Sequence, residues 1–168
     1  MKIALTINAT RHEVEISPSE TLLDLVRRLG YKSVKFGCGE GACGACTVIL
    51  DGRPVNACLV LAASVEGREV VTLEALGDTR RPHPLQEAFI EAGAVQCGFC
   101  TPGMILSAKA LLDRNPDPGE DEIREAIDGN LCRCTGYVQI IEAVKLAAKR
   151  LKKGGAKSPG RRAKTGSR

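Results

Sequence analysis

The chain has 168 residues, 43% of them apolar but only 3% aromatic, with no tryptophan. That is enough apolar material for a packed core without disulfides, and too few rings for a surface that reads nucleic acid by stacking on bases. The formal charge of +4 belongs to the C-terminus: residues 152–168 hold seven of the 24 Lys and Arg and no acid, so the rest of the chain has 20 acidic residues against 17 basic.

Ile3, Leu5 and Ile7 alternate with polar residues, as do Val14 and Ile16, which predicts a hairpin of half-buried strands. Ser17-Pro18-Ser19-Glu20 has the form of a capping box with Pro at the first helical position. Leu22, Leu23, Val26 and Leu29 follow at helical spacing, and Gly30 ends that helix. A loop rich in Cys and Gly runs from Gly37 to Cys46. The Asp51-Gly52 turn between Thr47–Leu50 and Arg53–Val55 predicts a second hairpin, and Val70–Leu73 reads as a further strand. Residues 1–76 are thus β-rich with one helix. Gly77–Pro84, polar and with two prolines, marks a boundary, with 77–83 as linker. Helical periodicity then predicts helices near 84–92, 102–114, 120–128 and 137–151, stopped at Gly93, Asn115-Pro116 and Gly129, so 84–151 is a four-helix unit. Residues 152–168, KKGGAKSPGRRAKTGSR, lack any apolar period and read as a disordered basic tail, either a solvated extension or an arm for a partner or nucleic acid. The fold class is α+β.

No run approaches the ~20 apolar residues of a membrane span. The start, MKIALTINAT, shows no cleavable signal and no twin arginine. A cytoplasmic location, where thiols stay reduced, is expected.

The eight cysteines divide four and four. Cys38, Cys43, Cys46 and Cys58 have C-x4-C-x2-C spacing with a fourth Cys downstream, the plant-type pattern for a [2Fe–2S] cluster. Four thiolates around such a cluster leave net negative charge in a partly dry site. The chain must wrap closely and turn N–H groups toward sulfur, which Gly37, Gly39, Gly41 and Gly44 permit. Glu40 is the one charged residue in that loop. Cys97/Cys100 and Cys132/Cys134 form a C-x2-C pair and a C-x-C pair, each just ahead of a predicted helix, so two helix N-termini would face one anionic group.

Other readings compete. Disulfides suit neither a chain without an export signal nor one able to build a core. Two Cys₄ zinc sites remain open on spacing alone, although a wrapping loop with four glycines has no purpose in a zinc knuckle. Unligated structural thiols leave the division into two sets unexplained. Gly39-Glu40-Gly41-Ala42-Cys43-Gly44 matches G-x-G-x-x-G, but it is interleaved with cysteines and leads into a strand rather than a helix, so it is rejected as a dinucleotide site. Phe36, Phe99 and Tyr137 lie close to cysteines and read as apolar cover; His12 and His83 receive no role.

The run Gly37-Cys-Gly-Glu-Gly-Ala-Cys-Gly-Ala-Cys-Thr47 resembles the first cluster loop of the xanthine oxidase (molybdenum hydroxylase) family. Gln96-Cys-Gly-Phe-Cys-Thr-Pro-Gly-Met104 and Gly129-Asn-Leu-Cys-Arg-Cys-Thr-Gly-Tyr137 are similar to the motifs of its second cluster. The resemblance covers about residues 1–150, with no departure at any expected cysteine. It implies a β-grasp, plant-type ferredoxin-like domain followed by a helical [2Fe–2S] domain. It implies a large partner subunit with molybdopterin beside the second cluster, and an FAD-binding medium subunit, or another acceptor, beyond the first. Gln96 and Cys134 would contact the pterin, with a local bond capping the loop as the other reading of Gln96, and Arg133 would either reach the partner or stay solvated.

The expected role is therefore the electron-transfer subunit of a molybdenum hydroxylase complex, with no substrate site of its own. A free-standing ferredoxin-like carrier and a zinc-stabilised binding scaffold are the alternatives. The two cluster-bearing halves are expected to fold separately.

Overall fold

The structure, a computed structural model, describes residues 1–153. Five strands form one mixed sheet in the order β2-β1-β5-β3-β4. β1 (Lys2–Ile7) and β2 (Thr10–Glu15) pair antiparallel through the two-residue turn Asn8-Ala9, with Ile7 opposite Thr10. Both turn residues take positive φ, 51° and 64°, as a tight hairpin turn of this hand requires. β3 (Thr47–Leu50) and β4 (Arg53–Asn56) form the second hairpin across Asp51-Gly52, as expected. β5 (Glu69–Val71) fills the centre, parallel to β1 and antiparallel to β3.

α1 (Leu22–Arg28) buries Leu22, Leu23, Leu25 and Val26 against one face of this sheet. It starts later than the capping-box motif implies. Thr21, not Ser17, is the cap: its Oγ1 accepts from the Asp24 amide at 3.1 Å. The cause is tertiary. The chain at 20–22 is held extended by hydrogen bonds between Leu22 N–H and Val60 C=O, 2.7 Å, and between Ala62 N–H and Glu20 C=O, 2.9 Å. Helix can begin only beyond that pairing; the Glu20 carboxylate still accepts from the Ser17 amide at 3.3 Å and also pairs with Arg28 at 2.9 Å.

The second half contains α2 (Pro84–Glu91), α3 (Thr101–Arg114), α4 (Glu120–Ile127) and α5 (Val138–Lys153), close to the expected spans. Their apolar faces meet in a core that includes Leu85, Phe89, Met104, Ile123, Ile140 and Val144. His83, to which the sequence assigned no role, caps α2: its Nδ1 accepts from the Leu85 amide at 3.1 Å, and Gln86 Oε1 accepts from the His83 amide at 2.7 Å. Burial, aided by Lys109, holds the His83 pKa below its usual value, which favours the neutral ring that an accepting Nδ1 needs. Lys152 and Lys153, expected in the tail, are the last residues of α5, and the Lys152 ammonium sits 2.5 Å from Asp117. The disorder expected of the rest of the tail, 154–168, lies outside the described residues.

The halves do not stand apart. All four residues of β3 are buried. Side chains alternate across a strand, so Val48 and Leu50 enter the core over α1 while Ile49 points the other way, onto Leu106 and Ala110 of α3. Where α3 begins, a Cβ on Gly103 would stand 2.4 Å from the Gly44 carbonyl oxygen, and one on Gly44 would stand 2.3 Å from that of Gly129. Backbone meets backbone there. The halves, expected to fold separately, meet along a tightly packed seam.

A methyl at 103 has nowhere to go except by moving main chain, whereas one at Gly129 meets nothing within 4 Å. Gly103→Ala should therefore cost about 1–3 kcal/mol of stability, as overpacking does, and Gly129→Ala should be tolerated. Denaturant unfolding of the two variants measures the contrast.

Candidate metal centres

The first set of thiols is shaped by backbone. Gly39, Gly41 and Gly44 take φ of 76°, 80° and 66°, a region that L side chains rarely adopt. At Gly37 the constraint is space, since a Cβ would lie 2.7 Å from Cys43 Sγ. Asn56 Nδ2 holds the loop by donating to the Gly41 carbonyl at 2.8 Å. The loop turns the Glu40 amide toward Cys38 Sγ at 3.5 Å, and that contact, followed by one with Cys43, lowers the Cys38 pKa to about 6. Burial works the other way on Cys46, pushing its thiol up to about 11 beside Cys58. Cys58 itself stands in a short 3₁₀ turn, Ala57–Leu59, that the sequence pattern does not separate from the strand before it.

The second set gathers at helix starts, as expected. Cys100 is the residue at the N-cap of α3, and Cys132 and Cys134 lie shortly before α5. Cys97 Sγ and Cys134 Sγ are 3.7 Å apart. Burial and then the neighbouring Cys132 push Cys100 up to about 12. Burial also opposes the Cys132 thiolate, but the Thr135 hydroxyl and amide outweigh it and bring the pKa down to about 7. That hydroxyl is 3.2 Å from Cys132 Sγ. Gln96 Nε2 donates to the Cys134 carbonyl at 3.2 Å, so the two residues expected at the pterin lie together on the surface.

All eight cysteines are free thiols. Within each set the thiols act on one another: Cys43 on Cys38, Cys58 and Cys43 on Cys46, and Cys132 and Cys97 on Cys100. Two thiolates on one tetrahedral metal, with bonds of about 2.3 Å, stand about 3.8 Å apart, close to the Cys97–Cys134 spacing of 3.7 Å. Four thiols per set are the ligands that a [2Fe–2S] cluster would need. The set also leaves a donor free. Thr101 Oγ1, next in sequence to Cys100, is the one buried side-chain N or O without a partner among the described residues. A buried hydroxyl normally finds an acceptor, and a cluster beside it supplies sulfur.

Residues beyond the cysteines complete the second loop. Tyr137, expected only as apolar cover, holds a positive φ of 72°. This puts its hydroxyl where it accepts from the Cys132 amide at 2.9 Å and donates to the Asn130 carbonyl at 3.2 Å. Asn130, which lies in the quoted run Gly129–Tyr137 but received no role there, is buried together with Ser107 and Thr47. Phe36 and Phe99, also expected as cover, are largely exposed.

Comparison with known proteins agrees with this geometry. Residues 5–74 match the 2Fe-2S iron-sulfur cluster binding domain family, and residues 72–145 match the [2Fe-2S] binding domain family. The chain is 53% identical over 149 residues to the nicotinate dehydrogenase small FeS subunit of Eubacterium barkeri, covering 88% of this chain and 95% of that one. It is 48% identical over 145 residues to the nicotine 6-hydroxylase small subunit of Paenarthrobacter nicotinovorans, covering 86% and 87%. Among solved structures, that of quinoline 2-oxidoreductase from Pseudomonas putida 86 matches with a TM-score of 0.87 at 41% identity, over 93% of this chain and 98% of that one. With two domain families in sequence, relatives of similar length and eight thiols gathered in two sets of four, this chain belongs to the small iron–sulfur subunits of the xanthine oxidase (molybdenum hydroxylase) family.

Proposed function

We propose that this chain carries electrons from a molybdopterin centre on a large partner subunit to FAD on a medium subunit, or to another acceptor, through two clusters in turn. Cys97, Cys100, Cys132 and Cys134 hold the cluster nearer molybdenum, and Cys38, Cys43, Cys46 and Cys58 hold the other. The division into a ferredoxin-like unit over 1–76, a link at 77–83 and a helical unit over 84–151 follows the same assignment. Each cluster, when bound, takes up and releases one electron at a time. The rest of the work belongs to the protein: it supplies thiolates, turns amides toward them, and limits water.

One observation carries the reading. The Leu131 amide donates to the Cys43 carbonyl at 2.9 Å. Cys43 is a ligand of one set and Leu131 precedes Cys132, a ligand of the other, so a single hydrogen bond joins the two sets. The outer end of the route is also marked. Cys97, Gln96 and Cys134 are exposed, and Val95, Phe99, Leu131 and Val138 are exposed apolar residues around the same loops. Apolar residues around surface thiols suit a partner that seals the cluster from water, and Gln96 and Cys134 then face the pterin. A free-standing carrier has no use for such a rim. Eight thiols outside disulfides suit a reducing compartment such as the cytoplasm, and no helix among the described residues is long and apolar enough to cross a membrane. The relatives named for nicotinate, nicotine and quinoline put nitrogen heteroaromatic rings first among substrates to screen with the native complex.

Metal and sulfide analysis of the native complex tests the assignment. It should give two irons and two labile sulfides for each of two clusters, with the visible absorbance of [2Fe–2S] centres; stoichiometric zinc in a colourless protein contradicts it. Cys43→Ser should remove the first cluster and, because of the seam, also broaden or shift the EPR signal of the second. An unaltered second signal would show that the halves respond independently. Thr101→Val tests the orphaned hydroxyl. A hydrogen bond to the cluster worth about 1 kcal/mol equals about 40 mV for one electron. Redox titration should therefore find the second cluster's potential lower by about that much, with its iron retained.

A further inference from the structure

We propose that Asn130 is the positioning residue that fixes the two clusters relative to each other, and so sets how well they exchange electrons. The inference rests on the two-cluster reading above and extends it to a residue that is not a metal ligand.

Asn130 is 3% exposed and makes contact with three separate pieces of the seam. Its Nδ2 donates to the Gly44 carbonyl at 3.0 Å and lies 3.2 Å from Thr47 Oγ1. Its Oδ1 accepts from Ser107 Oγ at 2.7 Å. Thr47 Oγ1 in turn donates to the same Gly44 carbonyl at 2.7 Å. Gly44 stands between the ligands Cys43 and Cys46, Ser107 lies on α3 behind Cys100, and Asn130 itself is two residues before Cys132. One amide side chain thus touches the first cluster loop, the helix that starts at the second cluster, and the second cluster's other loop.

The contacts act as a two-point clamp. Adjacent carbonyls, those of Cys43 and Gly44, accept from adjacent residues, the Leu131 main chain and the Asn130 side chain. One bond alone leaves a hinge. Two bonds, from a main chain and a buried side chain, fix both separation and tilt. The glycines at 44 and 103 bring the main chains so close that the amide fits directly between them: a Cβ at either position would stand 2.5 or 2.9 Å from Asn130 Nδ2. A buried, fully satisfied polar network of this kind specifies one arrangement where an apolar contact tolerates sliding.

Leu131 keeps its amide in an Asn130→Ala variant, so the hydrogen bond between the loops can re-form without its fixed geometry. In the purified complex reduced with dithionite, Asn130→Ala should retain the iron, the sulfide and the individual EPR signals of both clusters. The magnetic splitting between the clusters, which falls with the cube of their separation, should weaken or smear, and turnover should fall. Ile123→Val, a cut in the helical core away from the seam, serves as control and should leave the splitting unchanged. Parent-like splitting and turnover in Asn130→Ala with both clusters loaded overturn the proposal. So does an equal loss of splitting in Ile123→Val, which would assign the effect to general loosening. If Asn130→Ala does not load its clusters, Ser107→Ala, which frees the amide to rotate, should weaken the splitting in the same direction, and a parent-like spectrum there overturns the clamp. Failure of the underlying reading looks different: the parent complex itself would lack one of the two cluster signals.

Discussion

The main chains at Gly44, Gly103 and Gly129-Asn130 approach so closely that a Cβ on Gly44 or Gly103 would collide with its neighbours. Glycine at those two positions lets a loop holding one set of thiols touch both segments holding the other. Much of the architecture serves that contact. β3 is buried on both faces so that α3 can lie against its outer side through Leu106 and Ala110. Asn130, Thr47 and Ser107 satisfy the polar groups sealed into the seam, which matters because an unpaired buried carbonyl or hydroxyl costs about 1–3 kcal/mol.

The same arrangement manages charge in two ways. Around the first set, glycine backbone supplies amides and Glu40 is the sole charged residue of the loop. Around the second, α3 and α5 begin next to the thiols, and helix starts carry partial positive charge and free N–H groups. The thiols differ accordingly. Cys38 and Cys132 are held near or below neutrality, whereas burial holds Cys46 and Cys100 high. Binding iron must displace protons from the buried members of each set, so assembly is linked to proton release.

The thiols themselves were legible because ligand spacing is local: C-x4-C-x2-C, C-x2-C and C-x-C can be read without knowing how the chain folds. Helix spans in the second half were legible for the same reason, from periodicity and from stops at glycine and proline. What escaped the sequence was everything set by contacts across long separations. The late start of α1 depends on pairing with residues 60–62, and the central place of β5 depends on strands far from it in sequence. Asn130 looks like any polar loop residue until Gly44, 86 positions away, is beside it. One clue to the seam was present. Val48–Leu50 is a continuous apolar run, the mark of a strand covered on both faces, whereas the first two strands alternate.

The double-sided burial of β3 bears on how such chains can be recombined. Two cluster-binding units joined by a short polar link look exchangeable, as if either could be replaced by a homologous unit of suitable length. Compatibility is not decided in the polar stretch between them. A transplanted helical half would need a glycine facing Gly44, apolar side chains of matching size where Leu106 and Ala110 meet Ile49, and an amide-bearing residue in place of Asn130. An engineered chimaera should therefore keep these positions as a set, and the pair of domains with their common seam is the unit to exchange.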